Sequence, residues 1–260
     1  MLITLTTDFG YTDPFIGIMK GVILSINPQA QIVDITHGIP PQQIMAGALI
    51  LRHSVRYFPS GSIHVVVVDP GVGSERRPLL IQCEENHLIG PDNGVLSLAL
   101  ENRTPTKVIQ LSNPAYHLHP TSTTFHGRDI FAPVAAHLSL GVEPADFGPS
   151  VDKIVTIDWP AVKKLDRSLE GETIYIDRFG NLFTNIREQE LAGFPRNHIS
   201  VRVGNLTIRN LASNYTAAKV DEFVAIINSW GLLEIACRND SAARRTSAKI
   251  GDKVQILTEG

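Results

Sequence analysis

The sequence predicts an α/β fold in two parts: a layered strand–helix domain over residues 1–150, then a small antiparallel β domain over 170–260, with a polar link at 151–169. Three observations carry this. Strand-like and helix-like patterns alternate as far as about residue 140. The run from Ile63 to Val68 is apolar and β-branched almost without interruption, as suits a strand covered on both faces in a parallel sheet. Beyond Pro149 the helical period fades, and short strand signals bounded by turns follow one another.

Taken in order, Leu2 to Thr7 reads as a first strand. Asp13-Pro14 then offers an N-cap followed by proline at the first helical position, and Phe15, Ile18, Met19, Val22 and Ile26 recur at helical spacing. Ile32 to Ile35 is a second strand, and Pro40-Pro41 opens a helix whose Ile44, Ala48, Leu51 and Val55 share a face. After the Val-rich strand come strands near Leu79 to Gln82 and Lys107 to Leu111, then a helix from about Asp129 to Leu140. In the second part the strand signals are 173–176, 199–203, 206–208, 223–228, 232–236 and 253–257.

Composition narrows the class. The 260 residues are 43% hydrophobic and 19% charged, the balance of an ordinary globular protein. With a formal net charge of −3 and no Lys/Arg run beyond Arg244-Arg245, nothing points to nucleic acid. The N-terminal stretch lacks the basic region and long apolar core of a signal peptide, and no apolar run reaches membrane-spanning length. Cys83 and Cys237 sit far apart in strand-like runs, so both are expected to be buried free thiols in a cytoplasmic protein.

In an open α/β sheet, ligands gather at the carboxyl ends of the strands. Three segments fall there: Thr7-Asp8-Phe9-Gly10, Asp69 to Arg77, and Thr124-Phe125-His126-Gly127-Arg128-Asp129. Each has an ordinary turn or capping explanation when taken singly. Together, an Asp after a buried strand, an Arg seven positions later and a His on another loop can meet at one sheet edge. Guanidinium grips a carboxylate in a rigid fork and keeps it ionised, and an adjacent histidine can accept or relay a proton. Such a group can orient and activate one water molecule. Gly71-Val72-Gly73 lacks the third glycine of a dinucleotide loop, and neither a phosphate-binding Lys-Ser/Thr loop, nor HExxH, nor G-x-S-x-G occurs.

Six segments in order, Thr7-Asp8-Phe9-Gly10, Val68 to Arg76, Gly90-Pro91-Asp92-Asn93-Gly94, Phe125 to Pro133, Asp177-Arg178-Phe179-Gly180-Asn181 and Ile227-Asn228-Ser229, closely resemble the S-adenosyl-methionine hydroxide adenosyltransferases, relatives of the fluorinase and chlorinase enzymes. The resemblance runs from residue 3 to about 256. It implies an N-terminal Rossmann-like three-layer α/β domain, a C-terminal antiparallel β-barrel-like domain, and a homotrimer with sites between neighbouring subunits. It also implies the reaction: water or hydroxide attacks C5′ of the ribose of S-adenosyl-L-methionine, releasing methionine and adenosine. The sulfonium compound is then the substrate, and neither cofactor nor metal is required.

Carried over by position, Asp69, Arg76 and His126 match the family's water-activating group, and Asp8 matches the carboxylate that grips the ribose hydroxyls. Asp177 and Ser229 match groups that hold the methionine amine and carboxylate, and Asn181 a ribose or adenine contact. Phe183 and Tyr215 occupy positions of aromatic residues lining the pocket, and Glu234 is a further candidate for the amine. The leaving group is a neutral thioether, so the chemistry needs no general acid. It needs an oriented, shielded water. Fluorinase-like sites carry Tyr where this chain has Asp69 and Ser where it has Gly127. A carboxylate there repels halide, so water is favoured over a halide-dependent reaction. Trp230 stands where halogenases have Arg. A non-catalytic S-adenosyl-methionine sensor would not need the Asp69–Arg76–His126 set, and the missing glycine loops argue against a methyltransferase or a nicotinamide oxidoreductase.

Overall fold

The computed structural model describes residues 1–84 and 86–258, and the chain divides into two units between Ile157 and Asp158. The first unit is built on six strands: β1 (Leu2–Thr7), β2 (Gln31–Thr36), β3 (Ile63–Val67), β4 (Pro78–Cys83), β5 (Asn86–Pro91) and β6 (Pro105–Gln110). They lie in the order β2-β1-β3-β5-β4-β6. The first four of that order run parallel, while β4 is antiparallel to both β5 and β6. The fully buried β3 lies between β1 and β5, as its unbroken apolar run predicts.

Helices α1 (Phe15–Ile26), α2 (Ile44–Ser54) and α3 (Ala132–Ser139) cover the sheet. Met19 and Ile23 of α1 and Val134, Ala135 and Leu138 of α3 join Ile3, Leu5, Ile63, Val65 and Val67 in one buried cluster. The two-residue period of the strands turns Thr4, Thr6, His64 and Val66 to the opposite face. There α2 approaches so closely that a Cβ on Gly47 would lie 3.0 Å from both Val68 and Val95. The unit therefore has three layers, helices outside and sheet between.

The chain leaves β1 through α1 to β2 on one side, then returns through α2 to β3 on the other. Progress across the sheet thus reverses between β1 and β3, the place where open α/β sheets form a ligand crevice at their carboxyl edge.

Two local expectations change. No side chain caps α1: Pro14 takes the N-cap position, and its carbonyl accepts from Ile18 N at 2.9 Å, so Asp13 is not the cap. The strand β5 has no counterpart in the sequence reading. Gly90 is needed there, since a Cβ on it would meet the Val66 carbonyl oxygen at 2.5 Å.

The second unit contains β7 (Lys163–Leu165), β8 (Ser168–Ile176), β9 (Leu182–Arg187), β10 (Ile199–Val203), β11 (Leu206–Arg209), β12 (Phe223–Ile227), β13 (Leu232–Cys237) and β14 (Lys253–Thr258), with a short α4 (Ala242–Thr246). The path β11-β10-β14-β8-β9-β13-β12 is antiparallel throughout, and β7 pairs with β8. Just after β11, Ala212 N donates to Ala225 O of β12 at 2.9 Å, which nearly closes the sheet into a barrel. Leu182, Ile186, Val201, Leu233, Ile235 and Ile256 fill its core. The stretch 151–169, expected as a link, holds β7 and the start of β8. Cys83 and Cys237 are buried free thiols on β4 and β13. No described helix is long and apolar enough to cross a membrane.

Candidate active site

Thr7 of β1 pairs with Val67 of β3 in parallel register, so Asp8 and Asp69 leave neighbouring strands at the same edge of the sheet. The Asp8 carboxylate is already partly held, its Oδ2 accepting from Gln42 N at 2.8 Å. Gln42 has φ of 67°, a conformation costly for a side-chain-bearing residue and tolerated where surrounding structure enforces it.

Asp69 and Arg76 form a buried pair with side chains only 5% and 8% exposed. Arg76 Nε donates to Asp69 Oδ1 at 2.9 Å, and Nη2 donates to Oδ2, closing a two-point fork. A buried pair of this kind holds only if its geometry is good and further hydrogen bonds satisfy it. The intervening loop provides that geometry. Val72 N bonds Asp69 O, Ser74 N bonds Gly71 O, and Ser74 Oγ accepts from Arg76 N, folding the chain back so that residue 76 faces residue 69.

His126 completes the group. Its Nδ1 lies 2.7 Å from Arg76 Nη2. Guanidinium nitrogens only donate, so Nδ1 is the acceptor and the imidazole carries its proton on Nε2. Burial lowers the His126 pKa, and the Arg76 charge lowers it further, with Asp69 and Asp129 opposing. Both effects favour the neutral ring that this hydrogen bond requires.

The loop bearing His126 is set from below by Asp129, a residue the sequence reading left without a role. Asp129 is fully buried, accepts from Ser122 N at 2.7 Å and from Arg128 Nε at 2.6 Å, and its own carbonyl accepts from Leu118 N. His126 also opens a turn of i→i+5 pitch over Gly127–Phe131, ahead of α3, where the sequence predicts ordinary helix from Asp129. The two active loops touch at Gly73. With φ of +79° it brings the backbone so near Thr123 that a Cβ would sit 2.3 Å from the Thr123 carbonyl oxygen.

Between these loops lies a cleft of about 690 Å³. Asp8, Asp69, Gln42 and His126 line it, together with Phe9, Phe15 and Phe125. These three rings contact one another with centroids 5.3–6.0 Å apart. The cleft thus joins two carboxylates and a neutral imidazole to an apolar wall, the mixture of apolar lining and a few convergent polar groups usual in small-molecule sites.

The other expected residues fall in the second unit. Asp177 organises the β8–β9 turn: Oδ1 accepts from Phe179 N at 2.9 Å and Asn181 N at 2.8 Å, and Oδ2 accepts from Asn181 Nδ2 at 3.0 Å. A Cβ on Gly180 would meet Ser241 Oγ at 2.0 Å, so this turn lies directly against the start of α4. Asp177, Asn181 and Tyr215 line a second cleft of about 760 Å³ with Phe179, Thr216 and Arg244.

Glu234 sits on the outer face of β13, opposite the barrel core, and is fully buried beneath the 215–217 turn. Tyr215 Oη donates to its Oε1 at 2.8 Å. Burial raises the pKa of Glu234 and of Tyr215, and nearby Asp177 adds to both shifts. Ser229 is exposed at the tip of the β12–β13 hairpin, whose turn is fixed by Asn228 Oδ1 accepting from Trp230 N and Leu232 N. Phe183 does not line this cleft. It is buried at 8% exposure with its ring edge-on to Tyr175 and Trp230. The more exposed aromatic of the cleft is Phe179, 75% accessible against 43% for Tyr215, and sequence reading noted it only as part of a motif.

The chain is 35% identical to a Salinispora arenicola protein named (R)-S-adenosyl-L-methionine hydrolase, over 98% of this chain and 97% of that one. It is 36% identical to a Methanocaldococcus jannaschii protein of the same name, covering 98% and 95%. A protein of Actinoplanes sp. named fluorinase is more distant, 26% identical over 98% and 97%. The crystal structure of an uncharacterized conserved protein from Thermotoga maritima superposes with a TM-score of 0.91 at 32% identity, covering 99% of this chain and all of that one. Residues 3–148 match the family model of the SAM hydroxide adenosyltransferase N-terminal domain and residues 171–255 that of the C-terminal domain, so the chain belongs to the SAM hydroxide adenosyltransferase family.

Proposed function

We propose that this protein hydrolyses S-adenosyl-L-methionine to adenosine and L-methionine, with Asp69, Arg76 and His126 as its water-activating group. The observation that carries the reading is the buried Asp69–Arg76 fork with His126 bound to the same guanidinium, opening on a cleft that also holds Asp8. The water oxygen bonds to ribose C5′ as the C5′–S bond breaks, and that electron pair stays on sulfur as neutral methionine thioether. Each Asp69 oxygen gives one lone pair to Arg76 and keeps another for the water. The proton released passes to Asp69 and on to solvent. Because Arg76 occupies Nδ1 of His126, the histidine orients the water through its Nε2–H rather than removing a proton at Nδ1.

Asp8 grips the ribose hydroxyls. From the second unit, Asp177, Ser229 and Glu234 hold the amino-acid part, while Asn181, Phe179 and Tyr215 hold the nucleoside. We assign Phe179 the pocket-lining place expected of Phe183, because its ring is exposed at the cleft while that of Phe183 is buried. In this reading the protein is a cytoplasmic homotrimer whose sites form between neighbouring subunits. Gly127 supports water over halide: it offers no hydroxyl, and a Cβ there would sit 3.2 Å from both Met19 Sδ and the Phe125 ring.

The test is product analysis in oxygen-18 water, run separately with each sulfonium configuration, since the relatives' name specifies the R form. Adenosine labelled at its 5′ oxygen, together with unlabelled methionine, is the expected product pair. A 5′-halo-adenosine formed in chloride or fluoride would refute the assignment of Asp69. Asp69→Asn is expected to lower kcat by roughly 10²–10⁴, the range typical of losing a positioned proton acceptor, with adenosine still bound.

A further inference from the structure

Next to Asp8 lies a buried histidine that the proposed reaction does not use. His37 follows β2, is fully buried, and meets groups from three other segments. Its Nε2 is 3.1 Å from Asp34 Oδ1, and the other oxygen of Asp34 accepts from Lys20 Nζ of α1 at 2.6 Å. Its Nδ1 is 2.8 Å from Thr7 Oγ1, at the last residue of β1. Its backbone carbonyl accepts from Gly10 N at 2.8 Å, and the ring of Tyr11 stands edge-on to it with centroids 5.2 Å apart.

The direction of each hydrogen bond follows from the chemistry. A carboxylate oxygen only accepts, so the imidazole proton lies on Nε2, facing Asp34. Nδ1 is then an acceptor and takes the Thr7 hydroxyl proton. That leaves the Thr7 oxygen free to accept from Phe9 N, which it does at 3.2 Å. Lys20, Asp34, His37, Thr7 and the Phe9 amide thus form one connected chain, in which the 3.1 Å His37–Asp34 step is an ion-pair contact rather than a well-aligned hydrogen bond. It grips residues 7, 9 and 10, the residues on either side of Asp8.

We propose that His37 is a positioning residue for substrate binding. Through Thr7 and Gly10 it fixes the strand end from which the Asp8 carboxylate reaches the ribose. The inference rests on the ribose-binding role assigned to Asp8 above. Asp8 has one further restraint, the Gln42 amide on Oδ2, so the His37 chain sets the direction in which its backbone leaves the sheet.

The experiment is adenosine titration calorimetry on the full-length protein and four variants. Thr7→Val removes the hydroxyl while keeping the shape. His37→Asn places an amide oxygen near the Nδ1 position, where it can accept from Thr7. His37→Gln reaches Asp34 instead and abandons Thr7. Asp8→Asn is the reference for a lost ribose contact. Thr7→Val and His37→Gln are expected to weaken adenosine binding about tenfold, equivalent to ~1.4 kcal/mol. They should also raise KM for S-adenosyl-methionine more than they lower kcat. His37→Asn should restore most of the loss. Hydrogen exchange at Phe9 and Gly10 should quicken in Thr7→Val while the β3 amides keep their protection, which separates loosened positioning from general unfolding. Equal weakening by His37→Asn and His37→Gln, or unchanged binding by folded Thr7→Val, would overturn the inference and leave the function standing. Failure of the unmodified protein to bind adenosine or S-adenosyl-methionine would overturn both.

Discussion

The buried face between α2 and the sheet carries a histidine whose cost can be calculated. His64 on β3 is fully buried, with Nδ1 2.8 Å from Thr4 Oγ1 of the adjacent strand. Burial, with a smaller contribution from His87, pushes its pKa down from 6.5 to about 4. The unfolded chain therefore binds a proton at this position at higher pH than the folded chain does. The stabilising balance is complete above the unfolded value, declines as pH falls below it, and is fully lost only beneath the folded value. Between pH 7.5 and pH 5 this linkage removes about 2 kcal/mol, and about 3 kcal/mol by the time both states are protonated. The perturbation is the double variant Thr4→Val, His64→Leu, which removes both polar partners and so leaves no orphaned hydroxyl. Both tryptophans, Trp159 and Trp230, lie in the second unit, so their fluorescence would report the wrong part of the chain. The suitable assay is native-state hydrogen exchange of the β3 amides at the two pH values. Unmodified protein should lose about 2 kcal/mol more protection free energy than the double variant. Equal losses in the two proteins would refute the reasoning.

Three further outcomes follow from the geometry. Gly73→Ala forces a Cβ into the left-handed region and against the Thr123 carbonyl, so it should destabilise the first unit by about 1–2 kcal/mol and lower kcat by roughly 10–100-fold as the His126 loop moves, measured by hydrogen exchange and by product formation. Phe179→Ala should weaken adenosine binding about tenfold or more in calorimetry, since stacking a base on an aromatic ring contributes about 1–3 kcal/mol, whereas an unchanged affinity would return the role to another aromatic. Asp69→Ala and Asp177→Ala, each nearly inactive alone, should regain activity when dissociated and reassembled together, and a particle three times the 28.5 kDa chain mass should accompany it in sedimentation.

Several features of this architecture can be read from sequence because one physical signal dominates each of them. The apolar run of β3 allows no exposed face, and the short turn-bounded apolar runs read from residue 173 onward are too brief for helices of core length. Asp69 and Arg76 are readable for a similar reason: a carboxylate buried after a core strand needs a cation, and the loop between them is too short to place that cation far away. Other features depend on contacts that no local pattern records. Strand β9 includes Asn185, a buried polar residue that looks like a loop signal until its oxygen accepts from Glu172 N and its amide reaches Pro160 O. The role of Asp129 is invisible for the same reason, because its partner Ser122 lies in a loop. Phe179 and Phe183 differ by four residues, and only the fold of the Asp177 turn decides which ring is left open to solvent.

The division of labour between the two units makes the reassembly experiment informative. The Asp69–Arg76–His126 group is organised entirely by loops of the first unit: the fork closes within eight residues, and the His126 loop is held by Asp129, Ser122 and the Gly73 contact. Asp177 is organised entirely by its own five-residue turn, and Glu234 by Tyr215 above it. An alanine at Asp69 therefore leaves the Asp177 turn intact, and an alanine at Asp177 leaves the fork intact. If substrate is held by a second unit of one subunit and attacked from the first unit of another, some sites in a mixed particle contain both intact halves. Recovery then measures shared sites rather than repaired folding. A mixture as inactive as its components, in particles proven to have exchanged subunits, would place both halves of each site within one chain.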